Sequence, residues 1–173
     1  PSAGPTSSTV PAIARHTAPD PAAGLPDEDR LYRGDSPDLD LWHPWNLAVE
    51  PAIALARETE AAARAVDPRI ANSEGATVSS WDSDFAFANS RGFLGGYRGS
   101  RASIGCGVIA VDGDMMQRDA WYSSMRNAEE LASPQAIGRY AAERALSRLK
   151  SRKIATTECA VLFESPLAAG LLG

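Results

Sequence analysis

A cassette of the form Asn-Ser-x-Gly followed by an apolar or small residue occurs twice, at Asn72 to Ala76 and at Asn89 to Phe93. Each copy puts Asn and Gly where a chain reverses, because Asn hydrogen-bonds its own backbone and Gly supplies positive φ without steric cost. Strand-like runs flank both copies. The stretch 69–111 therefore reads as a meander of antiparallel strands with a tight turn at each cassette. Its last run, 102–111, puts Ile104, Cys106 and Val108 on one face and Ile109 and Val111 on the other. Both faces are apolar or small, which predicts a covered, central strand. Asp112-Gly113-Asp114 is a hairpin turn, and 115–124 is its partner strand.

The flanks are helical. Val49, Ala52, Ile53, Ala56, Ala63 and Val66 recur at helical spacing, with Pro51 in the first turn and Asp67-Pro68 as the stop. Ser133-Pro134 opens a second helix, serine as N-cap and proline at N1, with Ile137, Tyr140, Ala141, Ala145 and Leu149 along one face. A short strand is expected over 160–164 and the start of a helix over 166–172. The fold class is α+β: a twisted antiparallel sheet packed by two main helices. Residues 1–12 read as a disordered leader. Residues 13–47, dense in Pro and Asp, read as an extended segment whose Trp42 and Trp45 pin it to the body. Residues 48–173 form the α+β domain. The chain stops at Gly173 in an apolar run, which suggests a fragment truncated at the C-terminus.

The bulk numbers exclude some classes. With 44% hydrophobic and 23% charged residues in 173, the composition is globular. A net charge of −5 argues against a general nucleic-acid binder. No run approaches the roughly 18 apolar residues of a membrane span, and the N-terminus has no signal-peptide pattern. Cys106 and Cys159 are too few for a disulfide scaffold, and both sit in strand-like runs as small buried hydrophobes. A cytoplasmic protein is the simplest account.

Candidate chemistry is sparse. His16, His43, Cys106 and Cys159 lack zinc-ligand spacing. Asp35, Asp38 and Asp40 lack the order of a calcium loop and read as a solvated acidic linker. No Gly-x-Ser-x-Gly elbow supports a serine hydrolase built on His43, which reads as a packed, hydrogen-bonded side chain. Arg144, Arg148, Lys150, Arg152 and Lys153 could meet a phosphate backbone, but they also complement a helix C-terminus. The run Gly92 to Gly99 lacks the ending of a phosphate loop, and its glycines mark bulges or close backbone approach. Trp81, Phe85, Phe93 and Tyr97 are candidate peptide or interface contacts, with core packing as the plain alternative. No catalytic, cofactor-binding or metal-binding residue is assigned to this chain.

The order of short motifs resembles the PmbA/TldD family, also called modulator of DNA gyrase, in its PmbA (TldE) branch. The matching stretches include Ala14-Arg15-His16-Thr17-Ala18-Pro19-Asp20-Pro21, Pro37 to Pro44, Asp67-Pro68-Arg69-Ile70, both Asn-Ser-x-Gly cassettes, Gly113 to Asp119, Arg144 to Leu149 and Leu167 to Gly173. The resemblance implies a non-catalytic, N-terminal-half portion of a subunit that pairs with a TldD-type partner as a zinc metalloprotease. It implies proteolysis of unfolded peptides, maturation of peptide antibiotics and degradation of an antitoxin. Zinc is expected in the partner, through a His-Glu-x-x-x-His motif, and no cofactor in this chain. A homodimer is a further option; membrane and nucleic-acid partners are not expected. The alternative is a gyrase- or DNA-associated binding module without a protease role.

Overall fold

The computed structural model describes residues 14–172, except 21 and 36. The expected leader lies outside the described residues. The chain forms two compact units. One takes the chain up to Leu39 together with Asp84–Tyr97, and the other takes Asp40–Ser83 together with Arg98 onward.

The chain carries a three-stranded antiparallel sheet in the order β1-β2-β3, with β1 at Ile70–Ala88, β2 at Leu94–Asp112 and β3 at Met115–Met125. β2 is the central strand, as its composition predicts. Its pairing with β3 runs from Ala102↔Met125 to Asp112↔Met115 and closes at Gly113, where φ is +61°. Two helices cover one face: α1 at Val49–Arg64 and α2 at Pro134–Ser147. α2 lies against β3 and against α1. A shorter helix, α3, follows at Ser165–Leu172.

Period-two alternation sets the core. Ala102, Ile104, Cys106, Val108 and Ala110 of β2 are all buried, while the residues between them are only partly covered. The strand is thus covered by helices on one face rather than on both. The buried row meets Ala63 of α1, Ile70 of β1, and Ala141, Ala142, Ala145 and Leu149 at α2. With so many alanines the helix layer must sit close, because small side chains fill little space between backbones. The contact between α1 and α2 is closest at Gly138. A Cβ there would lie 2.9 Å from the Ala63 nitrogen and 3.1 Å from the Ala62 Cβ, and would collide with the Thr59 carbonyl. Thr59 is buried on the facing turn and satisfies its hydroxyl by donating to the Leu55 carbonyl at 2.7 Å. α2 begins as its sequence predicts: Ser133 Oγ accepts from the Ala136 N–H at 3.2 Å, with Pro134 at the first helical position.

Two local expectations fail. The first Asn-Ser-x-Gly cassette is not a turn. β1 runs straight through it, and Gly75 takes a φ of +93° inside the strand. Ser73 Oγ accepts from the Gly75 N–H at 2.8 Å and donates to the Gly107 carbonyl at 3.2 Å, so the irregularity is tied into the sheet. Glu74 then reaches across Gly107, where a Cβ would lie 3.0 Å from its Oε2, to meet Arg118 of β3 at 2.9 Å. The second cassette is the hairpin turn it was read to be. The second failure is 160–164, which is no strand: residues 151–164 carry no regular structure, and Leu162 is 99% exposed. An apolar β-favouring run becomes a strand only where a ladder partner exists.

Substituting Gly138 by Val would force α1 and α2 apart. Overpacking of this kind costs about 1–3 kcal/mol, so Gly138→Val is expected to lower the denaturation midpoint clearly. A variant with an unchanged midpoint would show that the helices are free to separate.

Candidate functional site

The smaller unit carries an open apolar groove of about 460 Å³. Its walls are the β1 and β2 ends at 84–97 and the segment ending at Leu39. Phe85 and Phe87 lie two apart on β1 and so share a face. Phe85 meets Tyr97 of β2 with ring centroids 5.2 Å apart, and Phe87 meets Phe93 at 5.9 Å, both within the range of favourable aromatic pairs. Tyr32, Pro37 and Leu39 complete the lining. Phe85 and Tyr97 are each about half exposed, at 50% and 51%, so they are not core residues.

The turn beneath the groove is tightly specified. Asn89 Oδ1 accepts from the N–H groups of Arg91 and Phe93 at 3.0 and 3.2 Å, Asn89 N–H donates to the Phe93 carbonyl at 3.0 Å, and Gly92 takes a φ of +82°. Gly96 lies so close to β1 that a Cβ would run into the Phe85 carbonyl and sit 3.2 Å from the Ala86 Cα. Arg91 Nη1 donates to the Pro26 carbonyl at 2.6 Å and ties the 22–39 segment to the hairpin. That segment has a single short 3-10 turn, Glu28–Arg30.

Of the four aromatics singled out in the sequence, Phe85, Phe93 and Tyr97 line this groove. Trp81 does not; it belongs to the larger unit and is 67% exposed. Phe87, Tyr32, Pro37 and Leu39 were not singled out. The i, i+2 repeat of Phe85 and Phe87 was the available signal for the first. The other three come from a distant stretch and left no local mark.

The remaining candidates are placed in structural roles. His43 donates its backbone N–H to Ser100 Oγ at 2.7 Å, and its ring Nε2 lies 3.1 Å from Asp40 Oδ1. Ser100, 4% exposed, donates to the Arg126 carbonyl at 3.1 Å and gives its own N–H to the Leu41 carbonyl at 2.9 Å. This serine hydroxyl therefore holds three backbone groups together, the His43 amide and the Leu41 and Arg126 carbonyls. Trp42 lies under the Arg98 guanidinium, 3.5 Å from its ring centroid, which is how the tryptophan pins its segment.

Three members of the basic cluster, Arg144, Arg148 and Lys150, meet carboxylates. Asp119 receives Arg144 Nε at 3.3 Å and Arg148 Nη1 at 3.1 Å. Arg144 also holds both carboxylate oxygens of Glu164, at 2.6 and 2.7 Å, and its guanidinium faces the Trp121 ring at 5.1 Å. Lys150 approaches Asp112 at 3.7 Å. Arg152 and Lys153 are exposed. The hydrogen bonds that Arg144 donates, to Glu164 first and then to Asp119, outweigh desolvation and raise its pKa above the ordinary value.

Cys106 is buried, and burial pushes its thiol pKa up, with Glu60 adding to the effect. Cys159 is exposed, against expectation, because the strand that would have buried it does not form. Among the described residues no three His, Cys, Asp or Glu side chains converge to hold a metal ion. No helix is long and apolar enough to cross a membrane among those residues.

The fold is α+β, residues 42–149 match the family model described as the PmbA/TldA metallopeptidase central domain, and the chain belongs to that family. Among its relatives is the metalloprotease PmbA of Escherichia coli O157:H7, 42% identical over 93% of this chain and 36% of that protein. The metalloprotease PmbA homolog of Haemophilus influenzae is 38% identical over the same shares. The chain thus spans little more than a third of the length of these relatives. A crystal structure from Thermotoga maritima, described as a modulator of a DNA gyrase, shares the fold with a TM-score of 0.57 at 24% identity, covering 63% of this chain and 25% of that one.

Two expectations follow from the ionisable groups. Burial pushes the Asp119 carboxyl up, but the Ala120 amide and the Arg148 and Arg144 guanidinium groups prevail, so its pKa is lowered. A carboxyl depressed on folding contributes stability that is present above its unfolded pKa, about 3.9, and is lost as pH falls through the folded value. Melting temperature between about pH 5 and pH 3 should then fall more steeply for the parent than for Asp119→Asn, which already melts lower at neutral pH. Parallel slopes would remove Asp119 from the acid response. In thiol labelling mapped by mass spectrometry, Cys159 should react at once and Cys106 only on unfolding. Rapid native labelling of Cys106 would mean that the core opens.

Proposed function

We propose that this chain is a non-catalytic portion of a PmbA-type subunit in a zinc metalloprotease complex that acts on unfolded peptides. The match of residues 42–149 to a metallopeptidase central domain carries this reading, and the relatives named as metalloproteases support it. The aromatic groove adds a surface suited to peptide or subunit contact. Zinc belongs, on this reading, to a TldD-type partner that supplies the hydrolytic chemistry. The residues of this chain shape the passage and hold the partner, in the cytoplasm, where antitoxins and precursors of peptide antibiotics are the substrates. The alternative, a DNA-associated module, would have to rest on Arg152 and Lys153, which are exposed, since Arg144, Arg148 and Lys150 face carboxylates of their own chain.

The test is reconstitution. The full-length protein that contains this chain is mixed with a TldD-type partner and an unfolded peptide, with and without a chelator. Cleavage is expected only when both proteins are present, with bound zinc recovered in the partner. Chelator-sensitive digestion by the protein alone would overturn the subunit role.

A further inference from the structure

In the smaller unit we infer a docking site for the free C-terminal residue of a peptide, its carboxylate held by Arg33 and Arg91 and its apolar side chain laid in the aromatic groove. The inference deepens the reading above and rests on it in one respect, that the complex handles peptides.

Three observations carry it. The first is a pocket of about 210 Å³ on the same hairpin, lined by Arg33 and Arg91 with Gly34, Gly92 and their neighbours. The charged residues of its lining are both cations, so the charge it attracts is negative. Two guanidinium groups at one space suit a carboxylate, whose oxygens accept from the planar N–H fork.

The second is that both charges remain available and one is fixed in place. Arg91 donates Nη1 to the Pro26 carbonyl at 2.6 Å, which orients the guanidinium without neutralising it. Its backbone is held by the Asn89 turn, where its N–H donates to Asn89 Oδ1 at 3.0 Å. Arg33 has a carboxylate partner, Glu28, through a single contact at 3.3 Å between side chains 61% and 82% exposed. An ion pair so open to water is weak and yields readily to a second carboxylate.

The third is continuity. Tyr32 and Phe93 line both this pocket and the aromatic groove, so the two spaces meet at those rings. A ligand that fills both carries an apolar group close to an anion. The last residue of a peptide has that form, with carboxylate and side chain on one Cα. Inorganic phosphate lacks the apolar group, and nucleic acid brings many negative charges to a chain whose own net charge is −5.

The experiment measures fluorescence anisotropy of N-terminally labelled Gly/Ser peptides with the full-length protein. One ends in Leu-Phe with a free carboxylate, and one is its C-terminal amide. A third ends in Ser-Ser with a free carboxylate, and a fourth is an amide with an internal Asp beside Phe. The first should bind tightest. Amidation and loss of the apolar residues should each weaken it about tenfold, the size expected for one charged hydrogen-bond partner or one aromatic anchor. Arg33→Gln should shrink the gap between acid and amide. Glu28→Gln, which frees Arg33, should tighten the acid and leave the amide unchanged. Both positions are exposed, so these variants remain informative if Arg91→Gln releases the segment it tethers. Equal binding of acid and amide overturns the proposal. So does equal binding of the internal-Asp amide, which marks a site for acidic side chains, or displacement by 3-phenylpropionate at the peptide's own Kd, which marks one for small aromatic acids. Cleavage is measured alongside with the partner added. Cleavage without a preference for the free acid in binding refutes the docking site and leaves the subunit reading standing; Arg33-dependent binding without cleavage does the reverse.

Discussion

The structure depends on one row of side chains. Along β2, every second residue from Ala102 to Ala110 is buried under the helices, and the residues between them are not. A slip of one position would turn that row to the other face, so the alternation fixes the register with β3. The row is made of small and β-branched residues, and the helix layer answers with alanines. Gly138 then becomes obligatory: helices brought that near have no space for a Cβ against Thr59 and Ala63. Sequence pattern, sheet register and helix spacing are therefore one constraint seen at three scales.

The sequence makes that constraint visible, and its reading of the sheet and two helices holds because each rests on periodicity over many residues. The failures come where a local motif had two outcomes. Asn72 to Gly75 and Asn89 to Gly92 share the same cassette, yet only the second reverses the chain. What separates them lies outside the motif. Ser73 finds the Gly107 carbonyl across the sheet and converts a turn signal into an irregular strand position. Gly107 in turn leaves room for Glu74 to cross to Arg118. None of those partners is near in sequence, so no local reading could weigh them. The run 160–164 fails for the complementary reason: it has strand-favouring residues and no neighbour to pair with.

Electrostatics shows the same division. Five basic residues close in sequence invite a phosphate-binding reading, but charge has meaning only beside its neighbours. Asp119 reaches the helix because β3 places it across from Val108, on the covered face. Once there, it draws in Arg144 and Arg148 from successive turns of α2 and its cap. Glu164 then takes the far side of Arg144 and fastens the irregular 151–164 segment to α2. Two of the five cations, Arg144 and Arg148, thus form a clamp in three dimensions that their spacing in the sequence does not announce.

The groove follows from where the core stops. Through the helix-covered part of the sheet, β2 spends its apolar residues on burial. Toward the Asn89 turn, among the described residues, the aromatic side chains of the same strands pair with one another, Phe85 with Tyr97 and Phe87 with Phe93. Such pairing recovers only part of what burial would give, because half of each Phe85 and Tyr97 ring still meets water. The glycines at 95 and 96 let the strands and the Phe93 ring come this close, since a Cβ would meet that ring at 95 and run into the Phe85 carbonyl at 96. Stability alone would favour polar residues or a closed cluster at these positions. The hairpin instead keeps large exposed rings on a tightly specified turn, within reach of an acidic, proline-rich segment tied to it by Arg91. That combination leaves apolar surface uncovered on the hairpin, at a stability cost the fold accepts there.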